Sequence, residues 1–528
     1  MRYLAFLFLL YITTAVGLAQ SANDWSWGGP IDPLQERVKI EHYELKLEFD
    51  PETQAIEGSV KVSFACKIDL DTLRLNLIDA YQVTKVGTSS HQTVPFKHRN
   101  DVLDISLPEG CTEQVIIYYN GKTPIATNPP WTGGFTWTTD ESGNHWMGLS
   151  SQNEGAKIFM PCLDHPSSEP TRGVDLYLTA PHPYFVASNG LLIGKQKQGD
   201  KITYHWATNY PINNYNINFT LGIFHEESKT FRSVSGEDIP MVAYTLEENK
   251  HMAPMLLSVL ENSTKTHEKY FGAFPFPKDK IGVVETPYLG MEHQTINGYG
   301  NNYQFVRTGE VFHDWLLHHE LGHEWWGNKV SVGDWADFWI HEGLCTYGDW
   351  LFYLEHVGEE AYIKRVNEHI KLIKNEKPIV GPKNTHSDDA YQLDIYYKGA
   401  FIIHSLRFIL GDDILFPMLK AFLEDERYTY HNLVETKDFT DFVQQYSGKD
   451  LEDFFHLYLY TKELPEIKVV KKKKDQYEVS FKNIHFSLPM EIETSEGIQR
   501  VKISSTPTII RSQSPIQVDP KNWYLKKQ

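Results

Sequence analysis

The chain has 528 residues, of which 50 are basic and 69 acidic, for a formal charge of −19 at pH 7. This acidic balance disfavours nucleic acid and anionic membrane surfaces as main partners. Hydrophobic residues make up 41% and charged residues 23%, as in ordinary soluble globular proteins, so long disordered stretches are not expected.

The first residues read as a secretory signal peptide. Arg2 supplies a positive charge, residues 3–16 form an apolar run, and Gly17-Leu18-Ala19 is a small-x-small cleavage pattern. The alternative is an N-terminal membrane anchor, but the run is shorter than the roughly 20 residues that a span needs. We therefore expect residues 1–19 to be removed and the protein to be secreted or periplasmic, with no transmembrane segment in the mature chain.

Residues 20–235 predict an N-terminal β domain. Stretches such as "HYELKLEFD", "GSVKVSFAC" and "EQVIIYYNG" alternate polar and apolar residues, with many β-branched and aromatic side chains. This period of two, punctuated by turns, is typical of a β-sandwich-like domain. Four cysteines in so long a chain are no disulfide framework. Cys66 and Cys111 lie in this region and could pair or remain free thiols.

Residues 236–465 predict a domain rich in helices, and residues 466–528 a small C-terminal β domain. Stretches such as "MAPMLLSVLENSTKTHEKYFG" and "FWIHEGLCTYGDWLFYLEHVG" have helical spacing and end at a glycine. After Pro465 the pattern returns to strand alternation. The lysines at 471–474 are interpreted as a solvated turn or as protection of an edge strand.

The segment "HHELGH", residues 318–323, is the first candidate for chemistry. On a helix, residues four apart share a face, so His319 and His323 project together and His318 points elsewhere. The pattern His-Glu-x-x-His predicts a zinc site in which Glu320 lies beside the metal as a base. Glu324 has no ligand spacing and is interpreted as a bystander.

A catalytic zinc ion needs a third protein ligand and an open position. Glu342 follows His323 after eighteen intervening residues, on a second helical segment that could return against the first. The alternative is an ordinary exposed glutamate on a helix. Asp349 lies seven residues further along the same face and could orient a ligand through a hydrogen bond.

These motifs together resemble the gluzincin aminopeptidases, the family of aminopeptidase N and leukotriene hydrolase. "HELGHEWWGNKVS" and "WIHEGLCTY" resemble its zinc motif. "YLGMEHQT" stands where the family has Gly-x-Met-Glu-Asn, "FMPCLDHP" where it has Phe-Pro-Cys-x-Asp-x-Pro, and "YYKGAFIIHSLR" where it has Tyr-x-Lys-Gly. The similarity spans about residues 36–467. It implies an α+β multidomain protein with an N-terminal β-sandwich-like domain, a thermolysin-like α/β catalytic domain and a small C-terminal β-sandwich.

The resemblance also implies roles for single residues. His319, His323 and Glu342 would bind one zinc ion per chain, and Glu320 would take the proton of the zinc-bound water. Tyr396 matches the tyrosine of Tyr-x-Lys-Gly, which donates a hydrogen bond to the tetrahedral oxyanion in the family. The implied activity is a zinc-dependent aminopeptidase that acts on peptides with a free N-terminus.

A second group of residues would bind the substrate. Glu292 matches the glutamate that binds the substrate's α-ammonium group, and Met291 precedes it in the same motif. Gln152 lies nine residues before Pro161, where relatives place a Glu or Gln that helps to hold the amine. A fixed carboxylate favours free N-termini over chain interiors, because an unpaired ammonium in a closed site is costly.

The chain departs from the family pattern at three positions. Leu289 and His293 replace the first glycine and the asparagine of Gly-x-Met-Glu-Asn, which concerns the shape of the substrate pocket. His341 replaces the asparagine before Glu342 and is interpreted as a hydrogen-bond donor near the ligands or as a packed surface residue. The family often adds a long helical C-terminal domain, whereas about 60 residues follow Pro465 here, so a short form is expected.

Three other functions fit the sequence less well than an aminopeptidase. A zinc endopeptidase would have no use for Glu292, and a leukotriene-type epoxide hydrolase is weakened by the lack of the helical domain. A catalytically inactive binding module would need a broken motif, but Glu320, Glu342 and Tyr396 are all present. The sequence defines no oligomeric state.

Overall fold

The computed structural model describes residues 25–66, 70–89, 92–108 and 113–527. The predicted signal peptide lies outside these residues, and so do Cys111 and the side chain of Cys66, so their pairing stays open. Cys162 and Cys345 are buried free thiols. Within the described residues, no helix combines the length and the apolar character that crossing a membrane requires.

The N-terminal part is built from strands that alternate buried and outward side chains. In the first strand Tyr43, Leu45 and Leu47 are fully or almost fully buried, because every second residue faces the core. The strands are β1 (Val38–Asp50), β2 (Ala55–Cys66), β3 (Thr72–Asn76), β4 (Tyr81–Thr88), β5 (Phe96–Arg99), β6 (Val102–Ser106), β7 (Gln114–Lys122), β8 (Gly134–Thr139), β9 (His145–Ser150), β10 (Val174–Pro181), β11 (Phe185–Ser188), β12 (Leu191–Gln198), β13 (Lys201–Ala207) and β14 (Phe219–Gly222).

These strands form three sheets around one hydrophobic core. The largest has the order β12-β13-β10-β1-β2-β7-β4, in which β1 pairs parallel with β10 and antiparallel with β2. The smaller sheets have the orders β11-β14-β9-β8 and β3-β6-β5. Strand β9 ends two residues before Gln152. This residue therefore lies where the N-terminal sheet meets the central domain.

The central part combines one mixed sheet with a set of helices. Its sheet has the order β15-β16-β17-β19-β18, and a hairpin of β20 and β21 follows it. The strands are β15 (Phe224–Arg232), β16 (Asp238–Leu246), β17 (Ile281–Glu285), β18 (Gly290–Met291), β19 (Asn297–Tyr299), β20 (Val306–Thr308) and β21 (Val311–His313). The helices are α1 (Ala253–Phe271), α2 (Trp315–Gly322), α3 (Trp339–His356), α4 (Glu359–His369), α5 (Ser387–Ala390), α6 (Leu393–Leu410), α7 (Asp412–Glu424), α8 (Thr436–Ser447) and α9 (Glu452–Tyr460).

The predicted domain boundary at residue 235 falls within the turn of the β15–β16 hairpin. Both strands of the hairpin belong to the central sheet, so β15 pairs with strands of the central part. Periodicity could not show this, because strands on the two sides of the boundary alternate in the same way. All the domain boundaries stay predictions.

Two glycine contacts bring the elements of the site together. A Cβ atom at Gly290 on β18 would lie 2.9 Å from a methyl group of Leu316 and 3.0 Å from Glu320 Oε1, both on α2. A Cβ atom at Gly343 on α3 would lie 2.8 Å from the Cα atom of Gly399 on α6. Glycine at these places therefore lets the edge strand pack on α2 and lets α3 and α6 cross closely.

The C-terminal part forms two small sheets that share a core with the central helices. The strands are β22 (Ile467–Lys473), β23 (Gln476–Phe481), β24 (Leu488–Thr494), β25 (Gly497–Ile503), β26 (Thr508–Arg511) and β27 (Gln517–Val518), in the orders β22-β23-β26 and β25-β24-β27. The indole of Trp523 stacks on His404 and Phe408 of α6, with ring centroids 4.6 and 4.9 Å apart. The α+β multidomain architecture predicted from the sequence is thereby confirmed.

Candidate active site

Helix α2 carries the His-Glu-x-x-His motif and is fixed at both ends. Asp314 caps its N-terminus by accepting hydrogen bonds from the backbone N–H groups of Leu316 and Leu317, at 3.0 and 3.1 Å. The helix ends at Gly322, and His323 is its C-cap residue with helical φ and ψ of −63° and −19°. The second histidine thus keeps the helical position relative to His319 although the regular helix stops one residue earlier.

His319, His323 and Glu342 meet in the interior, with their candidate ligand atoms within 4.8 Å of one another. The Nε2 atoms of His319 and His323 each lie 3.4 Å from Glu342 Oε2. The Glu342 side chain is only 2% exposed, so the alternative of an ordinary surface glutamate is wrong. Helix α3 returns against α2 and supplies this carboxylate, an arrangement that the spacing allows.

The outer nitrogens of both imidazoles are already engaged. His319 Nδ1 donates to Asp349 Oδ2 at 3.0 Å, and His323 Nδ1 donates to the backbone carbonyl of Trp326 at 2.9 Å. With the proton held on Nδ1, the Nε2 lone pair of each ring faces Glu342 and can bind a metal. Asp349 therefore lies where the sequence places it, behind the first histidine.

The arrangement of donor atoms fits zinc. In a tetrahedral zinc site, bonds of about 2.0–2.2 Å place neighbouring ligand atoms about 3.3–3.6 Å apart. The two separations of 3.4 Å fall within this range. Two imidazole nitrogens and one carboxylate are also a ligand set of catalytic zinc, which leaves a fourth position open.

The charges around the cluster favour a cation. Burial alone would lower the pKa of His319, but the carboxylates of Asp349 and Glu342 together outweigh burial and raise this pKa well above its ordinary value. Burial would raise the pKa of Glu342, yet His323 and His319 hold it well below its usual range. Positive charge between these side chains is therefore stabilised.

Glu320 and Glu292 form a second layer next to the cluster. A carboxylate oxygen of each lies within 4.8 Å of the other and of a ring nitrogen of His323. Burial raises the pKa of the Glu320 carboxyl, an effect that the histidines oppose and the Glu292 carboxylate strengthens. A raised pKa is what a general base that must hold a proton near neutral pH requires.

Two side chains from the N-terminal part hold the Glu292 carboxylate. Gln152 Nε2 donates a hydrogen bond to Glu292 Oε1, and the Tyr215 hydroxyl donates to the same oxygen at 3.1 Å. Glu292 is buried, and Met291 beside it on β18 is buried too. The structure therefore brings Gln152 to Glu292, the place that the resemblance implies for it.

Tyr396 lies on the first turn of α6, next to the candidate zinc ligand His319. Its ring stacks on His319 with centroids 6.0 Å apart, and its hydroxyl lies 2.9 Å from the Tyr391 hydroxyl. Tyr397, the sequence neighbour that could have taken over its role, instead packs its ring against His369 at 4.9 Å. Tyr391 was not predicted as a site residue, because it precedes α6 and belongs to no sequence motif.

Replacing Tyr396 by Phe is expected to lower kcat by about 10²–10³-fold while KM changes little, as for the loss of one oxyanion donor. Steady-state kinetics with an aminoacyl-fluorophore substrate measures both constants. Tyr397→Phe is the matched control and should behave as wild type. An unchanged kcat in the Tyr396 variant would move the donor role to Tyr391.

Two of the three departures from the family pattern, His293 and His341, are buried packing positions, and Leu289 is partly buried against the central core. His293 Nε2 accepts a hydrogen bond from Asn218 Nδ2 at 3.1 Å, and burial lowers the pKa of His293 to about 3. His341 Nε2 accepts from the backbone N–H of Val332 at 3.0 Å. His341 is 1% exposed, so the interpretation as a surface residue is wrong. Through this hydrogen bond the His341 ring holds Val332, which lies in the segment between α2 and α3.

Sequence reasoning also missed Asn328. Its Nδ2 donates to the backbone carbonyl of Glu292 at 3.1 Å and to Glu324 Oε2 at 3.2 Å, and its Oδ1 accepts from Asn216 Nδ2 at 2.6 Å. Glu324 in turn accepts from the backbone N–H of Thr295 at 2.7 Å. Glu324 is a bystander to the metal, as predicted, but it helps to hold the Glu292 segment.

Comparison with known proteins gives two matches to one family. The Peptidase M1 N-terminal domain matches residues 39–215, and the Peptidase family M1 domain matches residues 258–458. "Aminopeptidase 2, mitochondrial" of Saccharomyces cerevisiae is 24% identical over 466 residues, which cover 83% of this chain and 47% of that protein. Aminopeptidase N of Escherichia coli is 24% identical over 293 residues, which cover 52% of this chain and 33% of that protein. The chain thus spans about half the length, or less, of these curated relatives.

Solved structures share the fold. An M1 zinc metallopeptidase from Deinococcus radiodurans has a TM-score of 0.67 at 21% identity, over 81% of this chain and 95% of that one. A two-domain M1 zinc metallopeptidase bound to L-tryptophan also has a TM-score of 0.67 at 21% identity, over 83% of this chain and 97% of that one. Together with the two domain matches, these findings show that the chain belongs to the peptidase M1 family, the gluzincins of the aminopeptidase N type.

Proposed function

We propose that this protein is a zinc-dependent aminopeptidase that removes the N-terminal residue from peptides with a free amine. The observation that carries the proposal is the position of the buried Glu292 carboxylate. One of its oxygens lies within 4.8 Å of candidate ligand atoms of Glu320 and His323, beside the predicted zinc site. An acid held there can pair with a substrate's terminal ammonium and so place the first peptide bond at the metal.

His319, His323 and Glu342 would hold the zinc ion. When bound, zinc supplies Lewis-acid chemistry, because it polarises a carbonyl and lowers the pKa of a coordinated water. The Glu320 carboxylate would accept a proton from the attacking water and pass it to the leaving amine. The Tyr396 hydroxyl would donate a hydrogen bond to the oxygen of the reacting carbonyl.

Recognition of the substrate's terminal amine distinguishes an exopeptidase from an endopeptidase. Gln152 and Tyr215 donate hydrogen bonds to Glu292 but carry no positive charge, so a longer chain running past the site would leave this buried carboxylate without a counter-charge. An N-acetylated peptide removes the ammonium and is the substrate that separates the two activities. Equal cleavage of acetylated and free peptides would favour the endopeptidase.

Chelation of zinc is expected to abolish activity, and added zinc to restore it, because the proposed reaction needs the metal that two imidazoles and one carboxylate would hold. A panel of aminoacyl-fluorophore substrates, assayed with and without a chelator, measures activity and residue preference together. Full activity in protein shown to be free of metal would contradict the proposal. No cleavage of any panel member by zinc-loaded protein would favour an inactive binding module.

We further propose that the protein acts outside the cytoplasm. The support is the predicted signal peptide at residues 1–19, with its positive start, apolar run and small-x-small pattern. N-terminal sequencing of the protein recovered from the medium or periplasm should begin near Gln20.

A further inference from the structure

A short segment near the N-terminus packs against the central domain and buries its tryptophan there. We call residues 26–29, "SWGG", the N-terminal strap. Trp27 in this strap is 1% exposed and belongs to the hydrophobic core of the central and C-terminal parts. Its backbone N–H donates to Ser387 Oγ at 3.2 Å, and its carbonyl accepts from the Ser387 N–H at 2.8 Å. The strap is therefore a fixed part of the fold.

The two glycines of the strap allow this close approach. Gly28 has φ +89°, and a Cβ atom there would lie 2.6 Å from Trp335 Cδ1. Gly29 has φ +79°, and a Cβ atom there would lie 2.3 Å from the His386 ring. Other residues rarely adopt such φ angles and would clash, so this stretch can lie against Trp335 and the loop before α5 only with glycine at both positions.

One route leads from the strap to the ammonium-binding carboxylate through aromatic packing. The Trp27 ring contacts Tyr215 edge-on, with centroids 5.4 Å apart and planes at 60°, and contacts Trp335 at 5.2 Å. The Tyr215 hydroxyl donates to Glu292 Oε1 at 3.1 Å. The indole Nε1 of Trp27 has no hydrogen-bond partner among the described residues, so Trp27 acts on Tyr215 by packing.

A second route runs through Ser387. Its Oγ, which accepts from the Trp27 N–H, donates to the backbone carbonyl of Asn153 at 2.9 Å. Asn153 follows Gln152, whose Nε2 donates to the same Glu292 Oε1. Both donors that hold this carboxylate are therefore supported by the strap, one through a ring contact and one through a hydrogen-bonded serine.

We propose that the N-terminal strap positions the ammonium-binding carboxylate, with Trp27 as the positioning residue and Tyr215 and Gln152 as the groups that transmit its effect. Because both donors bind Oε1, they orient the carboxylate so that Oε2 remains for the substrate's ammonium group. The inference rests on the proposed aminopeptidase function and deepens it, because it extends the substrate site to a segment remote in sequence.

The test is the kinetics of Trp27→Leu with free-amine substrates. A carboxylate that loses its fixed orientation should bind the ammonium less well, so KM should rise about tenfold, as for a weakened hydrogen bond to a charged group. The value of kcat should change much less, because His319, Glu320 and Tyr396 are not touched. Zinc content should stay at the wild-type value.

Three variants make the test specific. Trp27→Phe keeps an aromatic ring against Tyr215 and should restore much of the wild-type KM. Tyr215→Phe removes only the hydroxyl and should reproduce the rise in KM even if Trp27→Leu fails to fold. Trp25→Leu is the matched control, since Trp25 packs against the N-terminal core, and its KM should be that of wild type.

The outcomes separate this inference from the proposed function. If zinc-loaded wild type cleaves none of the substrates, the proposed function fails. If wild type is active and the folded Trp27→Leu and Tyr215→Phe variants keep the wild-type KM, the strap has no positioning role and the inference is overturned. A parallel loss of kcat and zinc in these variants would show a merely structural role and would also overturn it.

Discussion

Replacing Glu320 with Gln is expected to abolish most peptide hydrolysis while the protein keeps its zinc. The amide has almost the shape of the carboxylate but cannot accept a proton, so the rate should fall by about 10²–10⁴-fold, the contribution typical of a general base. Zinc should remain, because the ligand cluster of His319, His323 and Glu342 does not include Glu320. Turnover of a free-amine substrate and zinc per chain by atomic absorption are the two measurements.

His323→Ala is the matched comparison for this variant. It removes one of two imidazoles, so the zinc content and the activity should fall together. Asp349→Asn would be too mild for this purpose, since it alters only the partner of the His319 ring. A Glu320→Gln protein that turns over near the wild-type rate with zinc bound would assign the proton transfer to another group.

Replacing Glu292 with Ala is expected to lower kcat/KM for free-amine peptides by an amount equivalent to about 2–5 kcal/mol, the cost of breaking a buried charge pair. The pair between this carboxylate and the substrate ammonium serves orientation as well as affinity, because it sets the first carbonyl at the metal. Zinc content should not change. Glu292→Gln, which keeps the shape and removes the charge, should show most of the same loss.

Acetylated substrates complete this experiment. Blocking the amine should slow the wild type severely and the Glu292→Ala variant much less, because the variant has already lost the interaction. Gln152→Ala should have a smaller effect than Glu292→Ala, since Tyr215 still donates to the carboxylate. If wild-type protein cleaves acetylated and free peptides at equal rates, Glu292 has only a structural role and the enzyme is an endopeptidase.

A local pattern in the sequence determined the two histidines of the candidate zinc site. His319 and His323 are four residues apart, and helical geometry alone places residues at that spacing on one face. Glu342 required a resemblance as well, because a spacing of eighteen residues does not say how a second helix returns. The α+β order of the chain could also be predicted, since periods of two and 3.6 residues depend only on which side chains each element buries.

Only the tertiary structure decided which distant residues share the site. Trp27, Gln152, Tyr215 and Glu292 are far apart in sequence and lie on three different parts of the fold, yet they form one chain of contacts. Hydrogen bonds between such residues produce no periodic pattern in the sequence, because the partner of each residue depends on how whole sheets and helices pack. The burial of His341 and the membership of β15 in the central sheet were hidden for the same reason. A local pattern reports what one element buries, whereas the partner of each buried group is set by the packing of elements far away in the chain.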